Sequence, residues 1–238
     1  MTEGRIMKAL SGFYYVKASD TVYACKGRGL FRKQKITPLV GDLVTFDPEE
    51  GYITSISKRK NELTRPPIAN ITQAIIVNSA NKPAFSSMLL DRFLVLVESK
   101  HIRPIIVITK IDTTSDSQLE ELKEIQKLYT QIGYSVNLFS AKQATDTSAL
   151  EKFFDGEITV IAGQSGVGKT SMLNALDPSL LLKTADISES LGRGKHTTRH
   201  VELLEIAGGL IADTPGFSLL DLDGIEPNEL ANCFPGIP

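Results

Sequence analysis

Gly163-Gln164-Ser165-Gly166-Val167-Gly168-Lys169-Thr170 fits the G-x-x-x-x-G-K-[ST] pattern of a phosphate-binding loop. Glu157-Ile158-Thr159-Val160-Ile161-Ala162 before it reads as a short buried strand, and Met172-Leu173-Asn174-Ala175-Leu176 after it continues as a helix. Strand, glycine-rich turn and helix in that order are the context the pattern needs, and a chance glycine turn lacks it. Glycines at 163, 166 and 168 let backbone N–H groups turn toward a phosphate without Cβ clashes. The helix start adds partial positive charge. Gln164, Ser165, Val167 and Ser171 complete the expected phosphate-contacting run. Lys169 is expected to reach the β- and γ-phosphates, and the Thr170 hydroxyl to hold Mg²⁺.

Downstream, Asp213-Thr214-Pro215-Gly216 follows the apolar run Gly209-Leu210-Ile211-Ala212. An acid at a strand end beside the phosphate loop can hold magnesium through a water, which is the role expected of Asp213. Gly216 is expected to offer its N–H to the γ-phosphate, with Pro215 stiffening the approach. Upstream, Thr109-Lys110-Ile111-Asp112 ends the strand Pro104-Ile105-Ile106-Val107-Ile108. A carboxylate at Asp112 can accept from guanine N1–H and the 2-amino group together. Adenine offers neither donor and would leave the carboxylate unpaired, so such a site discriminates strongly. The aliphatic stem of Lys110 can cover a base face. Thr109 stands where this motif usually has asparagine, which puts part of the tether between base loop and phosphate loop in question. Ser140-Ala141-Lys142, ending Val136-Asn137-Leu138-Phe139, is in register to contact guanine O6. These base-reading segments precede the phosphate loop, whereas an ordinary GTPase has them after it. The order is rotated.

Between residues 66 and 230, apolar strands alternate with helices. A strand is expected over 71–78, a helix over 86–100, a strand over 104–108 and a helix over about 116–130. A strand at 136–139 and a short helix near Ala149 follow. Uninterrupted apolar strands of this kind belong to a parallel sheet covered on both faces. Before residue 65 the pattern changes to short β-rich stretches at 12–16, 21–25, 42–46 and 51–56, punctuated by Gly, Asp and Pro, which suits a small barrel. Arg65-Pro66-Pro67 reads as a stiff, extended linker. Charge divides at the same place: residues 1–65 hold 12 Lys and Arg against 7 Asp and Glu, and the remainder holds 14 against 21. The overall net charge of −2 hides this. Lys26, Arg28, Arg32, Lys33 and Lys35 flank Phe31 with no acid among them, so a basic, aromatic surface for RNA is expected there. A solvated hairpin is the plainer alternative.

In rotated order, and together with Gly192-Arg193-Gly194-Lys195-His196-Thr197-Thr198-Arg199, these motifs resemble the circularly permuted GTPases of small-ribosomal-subunit biogenesis, the RsgA type. The resemblance covers about residues 1–230. It implies an OB-fold RNA-binding domain over 1–65 and a permuted P-loop GTPase domain over 66–230. It also implies Mg²⁺ with GTP, the small (30S) ribosomal subunit and its rRNA as partners, a monomer, and a cytoplasmic setting. The implied activity is GTP hydrolysis coupled to release from the maturing subunit. The Gly192–Arg199 segment is the expected switch, with Thr198 preferred over Thr197 to complete the Mg²⁺ shell.

Phe217 occupies the place of the glutamine that orients water in Ras-like enzymes and cannot do so. His196 is the candidate replacement, since imidazole both accepts and donates near neutral pH. Anchoring the loop or contacting RNA is its other reading. The alternative function is a GTP-regulated RNA-binding module with negligible hydrolysis; an ATPase is disfavoured by Asp112. The family normally continues into a Cys/His zinc domain. Cys25 and Cys233 show no metal spacing, so residues 231–238 are expected to be a truncated start of that region without its ligands. No apolar run is long enough to cross a bilayer, and the N-terminus lacks a signal-peptide core, so no membrane association is expected.

Overall fold

A computed structural model describes residues 1–29, 31, 36–64, 66–143, 147–180 and 201–213 of the chain. Five strands open it: β1 (Thr2–Leu10), β2 (Phe13–Ala18), β3 (Thr21–Gly27), β4 (Leu43–Asp47) and β5 (Tyr52–Ile56). They pair in the order β1-β2-β3-β5-β4, and β4 returns to β1, closing an OB-like barrel. Ile6, Val16, Cys25, Phe46 and Ile53 fill it.

β1 is not evident in the sequence because its alternation is broken. Its register shifts between Ile6 and Lys8, and consecutive residues Ile6 and Met7 are both buried. Phe31 also departs from expectation. It is only 6 % exposed and packs in the core, so it is no surface aromatic beside the basic run.

The expected linker is corrected too. β6 (Glu62–Thr64) and β7 (Pro67–Ala69) form an antiparallel hairpin with Thr64 opposite Pro67. Pro67 is tolerated because the first residue of a strand can do without its N–H. The Ala69 N–H donates to the Val40 carbonyl and fastens the hairpin to the barrel. At this junction Gly41 adopts φ +91°, and a Cβ there would lie 2.0 Å from the Ala69 carbonyl oxygen. Beside it, the fully buried Asp42 carboxylate accepts from Arg59 Nε at 2.8 Å, Arg59 Nη2 at 2.7 Å and the Leu39 N–H at 2.8 Å.

The second part is a sheet of β8 (Gln73–Ser79), β9 (Arg103–Thr109), β10 (Ser135–Leu138), β11 (Ile158–Ala162), β12 (Glu202–Ile206) and β13 (Gly209–Asp213). Its order is β10-β9-β8-β11-β13-β12. The first five strands are parallel, and β12 runs antiparallel to β13. Every residue of β8 and β11 is buried, as double-sided cover requires. Helix α1 (Ser87–Glu98) starts at Ser86, whose side chain accepts from the Leu89 N–H. Helix α2 (Asp116–Ile132) starts in a Ser115/Gln118 capping box and ends at Gly133 with φ 118°. Leu90, Phe93 and Leu94 of α1 and Leu122 and Tyr129 of α2 cluster with Ile76 and Ile106. Helix α3 (Ser148–Glu151) and helix α4 (Lys169–Leu176) put Leu150, Met172 and Leu173 with Ile75, Val77, Val107 and Ile161.

The sheet runs on into the barrel. β1 pairs with β12 at Lys8 and Glu202, whose side chains also form an ion pair at 2.7 Å, and Lys17 pairs with Glu205 alongside.

Removing Arg59 strands the buried Asp42 carboxylate, a loss of about 3 kcal/mol or more. Arg59→Ala is therefore expected to lower the urea unfolding free energy by that amount, against less than about 1 kcal/mol for the surface-pair variant Lys123→Ala.

Candidate functional site

Parallel α/β sheets bind ligands beyond the carboxyl ends of their strands. Here those ends bring together Asn78 and Ser79 at the end of β8, Thr109 at the end of β9 with Lys110 and Asp112 after it, residues 139–142 after β10, residues 163–170 after β11 and Asp213 at the end of β13. The elements expected from the separate motifs converge on one edge.

The glycine-rich loop leaves β11 by pressing against β8. Gly163 has φ +139°, and a Cβ on it would meet the Val77 carbonyl oxygen at 2.3 Å. No side chain fits. Gly168, with φ +99°, caps α4 and lies close enough to Thr109 that a Cβ would stand 3.3 Å from its Oγ1. Lys169 and Thr170 then begin the helix, both almost wholly buried. Lys169 Nζ donates to the carbonyls of Gly163 at 2.7 Å and Gln164 at 2.8 Å, holding an ammonium group at the mouth of the loop. Burial holds its pKa below the usual lysine value. An anion seated there would favour the charged form.

Two side chains from the β9 end cross to this loop. The Thr109 hydroxyl, 3 % exposed, lies within hydrogen-bond reach of the Val167 carbonyl and of the Asn78 carbonyl at 3.1 Å. A hydroxyl thus supplies a tether at the position where asparagine is usual. Lys110, with a left-handed φ of 60°, sends Nζ to the Gly166 carbonyl at 2.5 Å and to the Lys82 carbonyl. Its stem spans the gap between the two loops.

Asp112 sits in a 3-10 turn, Ile111–Thr113, with its side chain 11 % exposed. Ser140 Oγ, itself buried, donates to Asp112 Oδ1 at 2.7 Å, and Lys142 Nζ lies 3.7 Å from Oδ2. The Ser140 hydrogen bond is the main cause holding the Asp112 carboxyl below the usual carboxylate range, with Lys142 assisting. Asp112 is thus an ionised acceptor at neutral pH.

Asn78 escaped sequence reasoning. It is 5 % exposed, its carbonyl takes part in the Thr109 contact, and its Nδ2 has no partner among the described residues. A carboxamide directly after the apolar run of residues 74–77 was the available signal.

The backbone of Asp213 ends β13, next to β11. Lys26 and Arg28 are exposed on the barrel. Arg32, Lys33, Lys35, Gly192–Arg199 with His196, Thr197 and Thr198, Thr214–Phe217 and Cys233 lie outside the described residues. Among the described residues no group of three or more His, Cys, Asp or Glu side chains could hold a metal. The hard oxygen of Thr170, at the first turn of α4 beside a cradle closed to any Cβ at Gly163, does suit Mg²⁺ accompanying a phosphate.

The family profile described as RsgA GTPase matches residues 56–223, and the RsgA N-terminal domain matches residues 3–53. The chain belongs to the RsgA GTPase family. Among relatives of this family, a protein of Oceanobacillus iheyensis named small ribosomal subunit biogenesis GTPase RsgA 2 is 62 % identical over 99 % of this chain and 81 % of its own length. A Geobacillus protein named small ribosomal subunit biogenesis GTPase RsgA is 61 % identical over the same shares. The solved structure of YloQ, described as a circularly permuted GTPase, superposes with a TM-score of 0.84 at 48 % identity, covering 100 % of this chain and 79 % of that one. YjeQ from Thermotoga maritima gives 0.85 at 34 %, covering 98 % and 81 %. Like these RsgA proteins, the chain is a GTPase with a permuted order of motifs.

The Asp112 carboxyl has a folded pKa below its unfolded value of about 3.9. Its contribution to stability is therefore complete above that value and is lost as pH falls through the lower folded one. Ser140→Ala should raise the Asp112 pKa toward the unfolded value, as read by NMR titration, and reduce the loss of stability in that acid window. A titration curve for Asp112 that does not move in Ser140→Ala would contradict Ser140 as the main cause.

Proposed function

We propose that the chain binds GTP with Mg²⁺ at the edge described above, hydrolyses it, and uses the cycle to time its release from a maturing small ribosomal subunit. The observation that carries this is the fastening of Asp112's turn to the phosphate loop: Thr109 reaches Val167 and Lys110 reaches Gly166, so base and phosphate recognition form one rigid unit. In this reading Asp112 accepts the N1–H and 2-amino donors of guanine, Ser140 orients Asp112, and the Ala141–Lys142 backbone meets O6. The Lys110 stem covers the base, and Thr109 braces the two loops.

Residues Gly163 through Ser171 cradle the phosphates. Their N–H groups at the start of α4 are not used within the helix and so are available to an anion. Lys169 exchanges its loop carbonyls for phosphate oxygens, and Gly216 senses the γ-phosphate. Thr170, Thr198 and Asp213 would hold Mg²⁺, which neutralises charge on the phosphates. His196 positions the attacking water, a role that Phe217 cannot fill.

Lys26, Arg28, Arg32, Lys33 and Lys35 of the barrel bind rRNA. The relatives' names, small ribosomal subunit biogenesis GTPase, support the subunit as partner. None of the described helices is long and apolar enough to cross a membrane. We place the protein in the cytoplasm as a monomer.

Two measurements test this. Turnover of GTP should be slow alone and rise roughly tenfold or more with purified small subunits, since a partner commonly completes such a site. His196→Ala should cancel the rise while leaving GTP affinity nearly intact. Turnover that stays negligible with subunits would instead leave a GTP-regulated RNA-binding module, the reading that Phe217 favours. Separately, Asp112→Asn should move preference from GTP to XTP; unchanged GTP preference would remove Asp112 from base recognition.

A further inference from the structure

Three side chains form a row across the outside of the barrel. Tyr14 pairs with Cys25 on β2 and β3, which sets Phe13 opposite Lys26, and Lys26 pairs directly with Tyr52 on β5. The neighbouring residues Cys25 and Ile53 are buried and Tyr14 packs on the core, so alternation turns Phe13, Lys26 and Tyr52 outward. Phe13 and Tyr52 are each 38 % exposed, and Lys26 Nζ stands 4.9 Å from the centroid of the Phe13 ring. Two exposed aromatic rings flanking one cation are not explained by packing. The buried Phe31 cannot serve as the aromatic partner of the basic run.

We propose that Phe13, Lys26 and Tyr52 are a stacking platform for unpaired bases of single-stranded RNA. This deepens the reading of the barrel as an RNA-binding domain and rests on it. Aromatic faces accept any base, and an interleaved cation follows the phosphate between two stacked bases. Adjacent strands lie about 4.8 Å apart, so two strand spacings separate the rings by about 10 Å. That distance leaves room for Lys26 between two splayed bases. A base arriving at Phe13 replaces the ammonium on the ring face, and the freed ammonium moves to the phosphate. Arg28 is exposed two residues further along the same strand end.

Charge also sets a direction. Asp47 pairs with Tyr52, and Glu49 and Glu50 are exposed in the turn that follows, their N–H groups bonded to the Asp47 carboxylate at 3.0 and 3.1 Å. These acids repel phosphate beyond Tyr52. The strand's phosphates are therefore held on the Lys26 side, with the Tyr52 ring as the last stacking position. A duplex, whose bases are already stacked and paired, offers no face to either ring.

The chain contains no tryptophan, so Phe13→Trp places a sole indole in the row. In the full chain, its emission should be quenched by a single-stranded oligoadenylate of about ten nucleotides, a length within the range such folds cover. An RNA duplex of equal length should leave it unchanged. Phe13→Leu and Tyr52→Leu should each weaken oligoadenylate binding about fivefold or more with no change in its salt dependence. Lys26→Gln should reduce the slope of log affinity against log salt by about 0.7. GTP turnover without subunits should be unaltered in Phe13→Leu and Tyr52→Leu, which also verifies folding. Equal quenching by duplex, or full oligoadenylate affinity in both leucine variants, overturns the platform while leaving RNA binding by the barrel standing. Absence of any RNA binding by the unsubstituted chain overturns both.

Discussion

The site depends on how closely the loop after β11 can lie against β8. At Gly163 the backbone approaches the Val77 carbonyl so nearly that a single methyl group would collide with it. That approach carries Val167 and Gly168 to Thr109, and Gly166 to the Lys110 ammonium. Move the loop outward by the width of a side chain and these contacts open together. Asp112, three residues beyond Thr109, would then lose its fixed position relative to Lys169. A glycine with no chemistry of its own thus sets the distance between Asp112 and Lys169. The cooperation is geometric, because each contact is individually modest.

The parallel strands and their chemistry were legible because each carries its signal locally. Residues 74–77, 104–108 and 160–162 are apolar runs inside β8, β9 and β11, and Thr109 and Gly163 follow the last two directly. Elements that rely on distant partners were not. β1 hides behind its bulge, and β12 reads as Glu-Leu-Leu-Glu-Ile, with charges that make sense only once Lys8 and Lys17 stand opposite. Pro66 and Pro67 suggest an extended connection by local rules. The hairpin there exists because Val40 and the Gly41 turn give β7 something to lie on. Phe31 is a similar case. Its basic neighbours place it on the surface by composition, but the barrel interior takes it.

At the site, the residue types were readable and their mutual support was not. Thr109 in place of asparagine looked like a weakened tether, yet its hydroxyl reaches two carbonyls from a buried position. Ser140 reads from sequence as a base contact, and the structure adds that its hydroxyl donates to Asp112. Sequence spacing names candidates. Which oxygen faces which hydrogen depends on strand register, and that is a property of the assembled sheet.

The rotated order has a consequence for the growing chain. β8 waits for its neighbour β11 until 86 residues later, the separation between Gln73 and Thr159 that bond across them. Lys8 waits 194 residues for Glu202. The barrel, by contrast, has all five strands within its first 56 residues. During synthesis, which proceeds from the N-terminus, the barrel can therefore close while the strand that carries the phosphate loop is still unmade. The nascent protein can close its barrel before it can hold a nucleotide, and the seam between β1 and β12 cannot form until Glu202 has been made.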